Sequence, residues 1–369
     1  MDAALRLFLA LAALVGAVAL AGPARHSDYA MAYPLTTSRL PTHTLVGYWH
    51  NFENPAGPAF PLSQVSKDWD VVVIAFADSV GNGALGFTVN ETAGTQVQFI
   101  KDVADLKAAG KTVVLSIGGE KGSVTLADVT QTANFVNSLY SIIQTYGFDG
   151  IDLDLENGVS VGAPIVQNII AGVKQLKQKV GPTFYLSMAP EHPYVQGGLA
   201  QWGGLWGSYL AIIDGLRDEL TQLHVQYYNN NGFLYPDGRY LREGTVDGLV
   251  GGSLMLLEGF SAQNGNGFKF NPLRADQVSF GVPSGPRSAG QGFVTQEVVT
   301  RTLTCLTQGV GCDTIKPKKL YPDYRGVMTW SINWDRFDKF VFSGYARRAL
   351  DSLNGSVPPP PVTTPPTAP

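Results

Sequence analysis

The chain has 369 residues, 44% of them hydrophobic and 15% charged, a composition typical of soluble globular proteins at a length that accommodates one large domain. Its formal net charge of -4 excludes an electrostatic footprint for nucleic acid or anionic membrane and points to an uncharged partner. At the amino terminus, Arg6 precedes an apolar run from Leu7 to Ala21 that closes on Ala19-Leu20-Ala21, the small-x-small form of a signal-peptidase site. Residues 1–21 therefore read as a secretory signal and the protein as extracellular. At about 15 residues the run is short for a bilayer span, although an uncleaved anchor is the alternative. Residues 22–43 lack periodicity and read as a leader.

From there the chain alternates β-branched runs with helical patterns. Strands are expected at Thr44–Trp49, Asp70–Asp78, Thr112–Ile117, Gly150–Glu156, Thr183–Ala189, Gln222–Tyr228, Gln277–Val282 and Gly326–Ser331. Apolar spacings of three and four predict helices at Gln96–Ala109, Leu126–Tyr146, Ile165–Val180, Tyr209–Glu219, Thr295–Leu306 and Phe337–Leu353. This alternation predicts an α/β fold, a (β/α)8 TIM barrel occupying residues 44–354. A doubly wound sheet fits less well, because no Gly-x-Gly-x-x-Gly follows the first strand. Cys305 and Cys312 are the only cysteines, close enough for one disulfide in an exported protein, with two buried thiols as the alternative. Asn90-Glu91-Thr92 and Asn354-Gly355-Ser356 fit the glycosylation sequon. Residues 355–369, rich in Pro and Thr, read as a linker or tail.

The fourth strand carries the chemistry. It reads Phe148-Asp-Gly-Ile-Asp-Leu-Asp-Leu-Glu156, so a period of two sends Ile151, Leu153 and Leu155 one way and Asp152, Asp154 and Glu156 the other. Side chains two apart on a strand lie roughly 6.7 Å apart. Neighbouring charges at an effective dielectric of about 20 then repel by on the order of 2 kcal/mol, more than one pKa unit. At least one of these carboxyls is expected to stay protonated near neutral pH. A solvated acidic edge strand and an oxygen-ligand site for magnesium or manganese are the alternatives, but no other Asp, Glu or His cluster supplies further ligands. Barrel enzymes work at the carboxyl ends of their strands. Tyr48, Phe76, Ser116, Met188, Gln226, Tyr228 and Trp330 sit at such ends and are read as pointing toward the barrel axis. Each alone is ordinary core filler; together they make a cleft of aromatic faces with hydrogen-bonding tips, which suits a sugar.

The acidic run resembles the Asp-x-x-Asp-x-Asp-x-Glu signature of glycoside hydrolase family 18, the chitinase family. Ser-Ile-Gly-Gly and Met-Thr-Trp-Ser-Ile-Asn-Trp-Asp extend the likeness from Gly47 to Trp334. The resemblance implies that Glu156 protonates the glycosidic oxygen and that Asp154 orients the substrate's N-acetyl group, whose carbonyl oxygen attacks the anomeric carbon. It implies that Asp152 shares a proton with Asp154, that Tyr228 bonds the N-acetyl oxygen and that Trp330 floors the sugar pocket. Tyr48, Phe76, Met188 and Gln226 would line that pocket, and Ser116 would support the inner carboxylate. Asp149, in the opposite register, is structural. No cofactor or metal is implied, and the partners are chitin and N-acetylglucosamine oligosaccharides, met by a monomer. The segment between the seventh and eighth strands, about 40 residues, is too short for the extra α/β domain that some members carry. An open cleft and endo-type cleavage follow. Trp202, Trp206, Tyr194 and His192 would either stack on sugars beyond the cut or pack at the surface. An endo-β-N-acetylglucosaminidase acting on N-glycans, a chitin-binding lectin on the same barrel and a metal-dependent hydrolase are the rival readings.

Overall fold

The strand expectations translate into eight parallel strands that close on themselves in a computed structural model describing residues 40–263 and 267–355. The expected signal, most of the leader and the Pro-rich tail from 356 onward lie outside the described residues. The strands are β1 (Thr44–His50), β2 (Val71–Gly81), β3 (Thr112–Gly118), β4 (Gly150–Asp154), β5 (Tyr185–Met188), β6 (Gln222–Gln226), β7 (Val278–Pro283) and β8 (Gly326–Trp330). Each pairs with its chain neighbour, and β1 pairs with both β2 and β8, so the barrel has no free edge. Outward side chains such as Leu45, Ile74, Leu115, Ile151, Leu153, Val225 and Phe280 form one core with the helices. A smaller inner core holds Val46, Tyr48, Val71, Val73, Ala75, Val114, Tyr185, Ala189 and Met328.

The helices are α1 (Gln96–Ala108), α2 (Val129–Tyr146), α3 (Pro164–Val180), α4 (Leu210–Gly215), α5 (Val246–Glu258), α6 (Gln296–Gln308), α7 (Ile332–Phe337) and α8 (Val341–Leu353). Several boundaries depart from the sequence expectation for identifiable reasons. Helix α2 starts three residues late because Asp128 caps it, its carboxylate accepting from the Gln131 N–H at 2.9 Å. The single helix expected from Phe337 is split, since Lys339 and Phe340 take left-handed φ values of 63° and 61° between α7 and α8. Helix α5 carries no amphipathic signal because eleven of its residues are buried all round. The Cys305–Cys312 disulfide is formed at the end of α6. Residues 40–43, read as the end of a leader, dock on the barrel: Leu40 packs on the inner core, and Arg325 donates to the carbonyls of Pro41 and Thr42 at 3.0 and 3.3 Å. No helix among the described residues is long and apolar enough to cross a membrane.

The glycine at position 252 is what lets α5 approach the barrel. A Cβ there would lie 2.4 Å from the ring of Tyr227, a fully buried side chain whose hydroxyl is held by Gln196 Nε2 at 2.8 Å. The ring cannot step aside. Gly252→Ala is therefore expected to lower stability by about 1–3 kcal/mol, read from the urea midpoint; an unchanged midpoint would refute the tight contact.

Candidate active site

The ladder between β4 and β5 ends at Leu153 and Met188, and Asp154 is the last residue of β4, two short of the expected end. The reason is local: the hydroxyl of buried Tyr209 takes the Leu155 N–H at 2.8 Å, so the chain leaves the sheet there. Glu156 thus stands on the loop above the barrel mouth rather than on the strand. On the other side, Gly119 N donates to the Asp154 carbonyl at 2.7 Å, and a Cβ on Gly118 would fall 2.1 Å from that oxygen. The Ser-Ile-Gly-Gly segment exists to allow this approach, with φ of +115° and +77° at its two glycines.

The three carboxyls have different surroundings. Asp152 is fully buried and accepts from Tyr48 Oη and Ser116 Oγ at Oδ2, and from Ser187 Oγ at Oδ1, each at 2.6 Å. His224 Nε2 lies 3.4 Å from Oδ1. Burial would raise the pKa of Asp152, but the nearby His224 imidazole and the bonds from Ser116 and Ser187 outweigh it and hold the group below its ordinary value. Asp154, one layer up, has a pKa driven well above the ordinary range by burial and then by the charges of Glu156 and Asp152. Glu156 is also raised, by burial first and in part by the charge of Glu191, against the lowering bond from Gln226. Gln226 Nε2 reaches both upper carboxyls, Asp154 Oδ1 at 2.8 Å and Glu156 Oε1 at 3.1 Å, and also the Ala189 carbonyl at 2.8 Å. One excess proton shared by Asp154 and Glu156 above an anionic Asp152 satisfies this arrangement.

A groove of about 1080 Å³ opens over these groups. That is at or above the roughly 300–1,000 Å³ of a small-molecule pocket, so it accommodates an extended ligand. Tyr48, Phe76, Asp154, Glu156, Gln226, Tyr228 and Trp330 all line it. Phe76 and Trp330 are nearly parallel, with centroids 6.0 Å apart and planes at 18°. Phe52, which sequence reasoning passed over, is parallel to both, at 11° and 27°. The imidazole of His50 stacks on Phe52 at 4.6 Å and packs tilted against Trp330 at 4.5 Å, its pKa lowered to about 3 by burial. These faces bind apolar ring surfaces and hold no charge of their own.

Two residues counted with the substrate contacts do not line the groove. Ser116 is buried below it and donates to Asp152, the support of the inner carboxylate that the resemblance implies. Met188 points the wrong way: it pairs in register with Leu153 and Leu223 and belongs to the outer core, while Ser187 and Ala189 occupy the inner face. The alternation was counted from the wrong residue of β5, and the methionine that does line the groove is Met328 of β8. Nor do Trp202, Trp206, Tyr194 and His192 line it. Trp202 stacks on Phe268 at 5.0 Å, Trp206 packs against Gly197, Tyr194 donates to the Glu156 carbonyl, and His192 pairs with buried Glu243 at 2.9 Å. Asp149 faces away from the site, accepting from Val113 N at 2.8 Å and pairing with Lys107 at 2.9 Å. Ser187, His224 and Glu191 were also missed; Ser187 and His224 share the inward parity of their strands, a signal the sequence did contain. Among the described residues no group of three or more His, Cys, Asp or Glu is placed to hold a metal ion.

A family model described as glycosyl hydrolases family 18 matches residues 44–240. Chitinase Chi52 of Paenibacillus xylanexedens is 42% identical over 329 residues, 85% of this chain and 62% of that protein. Chitinase D of Niallia circulans is 41% identical over 327 residues, 84% of this chain and again 62% of the relative. The chain thus spans less than two thirds of the length of these curated relatives. A solved family GH18 chitinase from Chromobacterium violaceum matches with a TM-score of 0.82 at 61% identity, covering 84% of this chain and 83% of that one.

The raised pKa of Asp154 has a consequence for stability. A carboxyl whose folded pKa exceeds its unfolded one stabilises fully below the unfolded value, about 3.9, and loses that contribution as pH rises through the folded value. Asp154→Asn removes the loss while keeping an oxygen for Gln226. The variant is expected to melt above the parent at mildly alkaline pH, by about 1.4 kcal/mol for each unit of the shift, and to converge with it below about pH 4. Parallel melting curves across pH would refute the assignment of the shift to Asp154.

Proposed function

Because the chain belongs to glycosyl hydrolases family 18, we propose that it hydrolyses β-1,4 bonds between N-acetylglucosamine units of chitin, by retaining catalysis in which the substrate's acetamide is the nucleophile. The observation that carries this reading is the pair Asp154 and Glu156, bridged by one amide at the floor of an aromatic-walled groove, above an Asp152 whose pKa its neighbours hold low. Glu156, protonated by virtue of its burial, gives its proton to the glycosidic oxygen as the bond to the anomeric carbon breaks. As the shared proton leaves through Glu156 to the glycosidic oxygen, Asp154 is left ionised; the acetamide carbonyl oxygen bonds the anomeric carbon, and the positive charge that spreads over the ring and amide is met by that anion. Tyr228, whose hydroxyl stays protonated because burial and the charges of Asp154 and Glu156 raise its pKa well above 10, donates to the acetamide oxygen. Water then adds to the anomeric carbon, returns a proton to Glu156 and restores the acetamide.

Trp330, with Phe76 and Phe52 beside it, supplies the apolar floor on which a pyranose face rests. Between β7 and β8 the chain places α6 and its disulfide loop, with no further domain walling the groove, which supports binding along the middle of a polymer and endo-type cleavage. Residues 44–354 act as the catalytic unit, and the apolar segment at 1–21 supports export.

Two measurements test this. Glu156→Gln is expected to retain binding of a chitin oligomer while turnover falls by at least about 10²–10⁴-fold; undiminished turnover would defeat the acid assignment. Mass analysis of early products from a hexamer of N-acetylglucosamine is expected to show dimers, trimers and tetramers together, whereas dimers alone would contradict endo action.

A further inference from the structure

We propose that His224 is a positioning residue for this reaction: its Nε2–H donates to Asp152 Oδ1 and thereby keeps Asp152 the anion beneath the proton-sharing pair. The proposal rests on the catalytic reading above and extends it to a group that neither touches the groove nor belongs to the acidic strand.

His224 is fully buried on β6, two residues below Gln226, so it faces the barrel axis one layer beneath the upper carboxyls. Its Nε2 lies 3.4 Å from Asp152 Oδ1, and its ring meets Tyr48 edge-on at 6.3 Å and 85°. Neither ring nitrogen makes a hydrogen bond of ordinary geometry, and Asp152 Oδ1 is the acceptor that Nε2 approaches. A separation of 3.4 Å is long for a neutral N–H···O bond, yet nothing competes for the proton.

The other three donors to Asp152 are hydroxyls, those of Tyr48, Ser116 and Ser187. A hydroxyl accepts as readily as it donates, so three hydroxyls serve a protonated Asp152 as well as an ionised one. An imidazole N–H at Nε2 only donates. With it in place one position on Oδ1 is reserved for a donor, which favours the ionised carboxylate. Of the four neighbours of Asp152, His224 is the one whose N–H can only donate, so it biases the group toward the anion.

No neighbouring element offers a substitute. From β1 come Tyr48 and Thr44, from β3 Ser116, from β4 Asp154, from β5 Tyr185 and Ser187, and from β7 Ser279. Strands β2 and β8 contribute apolar Val73, Ala75 and Met328. Below His224, Gln222 is spent on Thr44, Tyr185 and Ser279, at 3.2, 3.2 and 3.0 Å. Tyr185 is the one ionisable group at that level, and burial followed by the charge of Asp152 raises its pKa, so it stays neutral. The excess proton is thus confined to the level of Asp154 and Glu156.

The test compares His224→Leu and His224→Gln with the parent on a soluble N-acetylglucosamine oligomer. In the leucine variant the acid limb of kcat/KM moves up by about one pH unit, the shift that loss of one hydrogen bond to a carboxylate produces. With it kcat falls about tenfold while KM holds. The glutamine variant, which keeps an N–H donor, recovers most of the profile. An acid limb unmoved in a folded leucine variant overturns the proposal. Should that variant not fold, ¹⁵N spectra of histidine-labelled parent protein decide, with His224 assigned by its contact with the Tyr48 ring. A proton on Nε2 supports the proposal and a bare Nε2 overturns it. That spectrum reads the His224–Asp152 bond even if the chain proves inactive on chitin, so failure of the catalytic reading and failure of this one are told apart.

Discussion

Three carboxyls at alternate positions of one segment, two on a parallel strand and the third on the loop that follows it, cannot all be ionised at the mouth of a barrel, and the rest of the site follows from how the fold divides one proton among them. Removing a carboxylate from water is expensive unless its lone pairs are filled. Asp152 receives three hydroxyls at 2.6 Å and a nearby imidazole, and its pKa is lowered. Asp154 and Glu156 share one amide donor, and theirs are raised, chiefly by burial. Departure of the chain from the sheet after Asp154, enforced by Tyr209, lifts the last carboxyl into the lining of the groove.

That division has a cost which the barrel carries in its interior. The inner faces of such barrels are ordinarily filled by branched apolar side chains. Here the middle is layered with polar groups, Gln222, Tyr185, Thr44 and Ser279 below, then Asp152 with its donors, then Gln226 and Asp154. Most of these are satisfied, and a fully connected buried network fixes each member's rotamer. The aromatic stack of Trp330, Phe76, Phe52 and the neutral His50 does the corresponding work on the groove wall, where an apolar ring face rather than a charge must be held.

Much of this was legible in the sequence because the relevant signals are periodic. Alternation separated Ile151 and Leu153 from Asp152 and Asp154, and it placed all eight strands to within a few residues. What escaped was what periodicity cannot carry. Helix α5 is buried on every side, so it shows no stripe, and its glycines at 251 and 252 resemble a loop until Leu241 is seen against the first and Tyr227 against the second. Met188 was misplaced by a one-residue error in parity, which on a strand reverses the face entirely. Phe52 lies on a loop, where neither period applies. His224 and Ser187 had the right parity, yet nothing about a histidine or a serine in a strand announces a carboxylate partner on a nearby strand.

The location of the shared proton is the claim on which the chemistry turns, and neutron diffraction from a deuterated crystal near neutral pH reads it directly. The account predicts density for one deuteron between Asp154 and Glu156 and none on Asp152. A deuteron on Asp152, with both upper carboxyls bare, would contradict it.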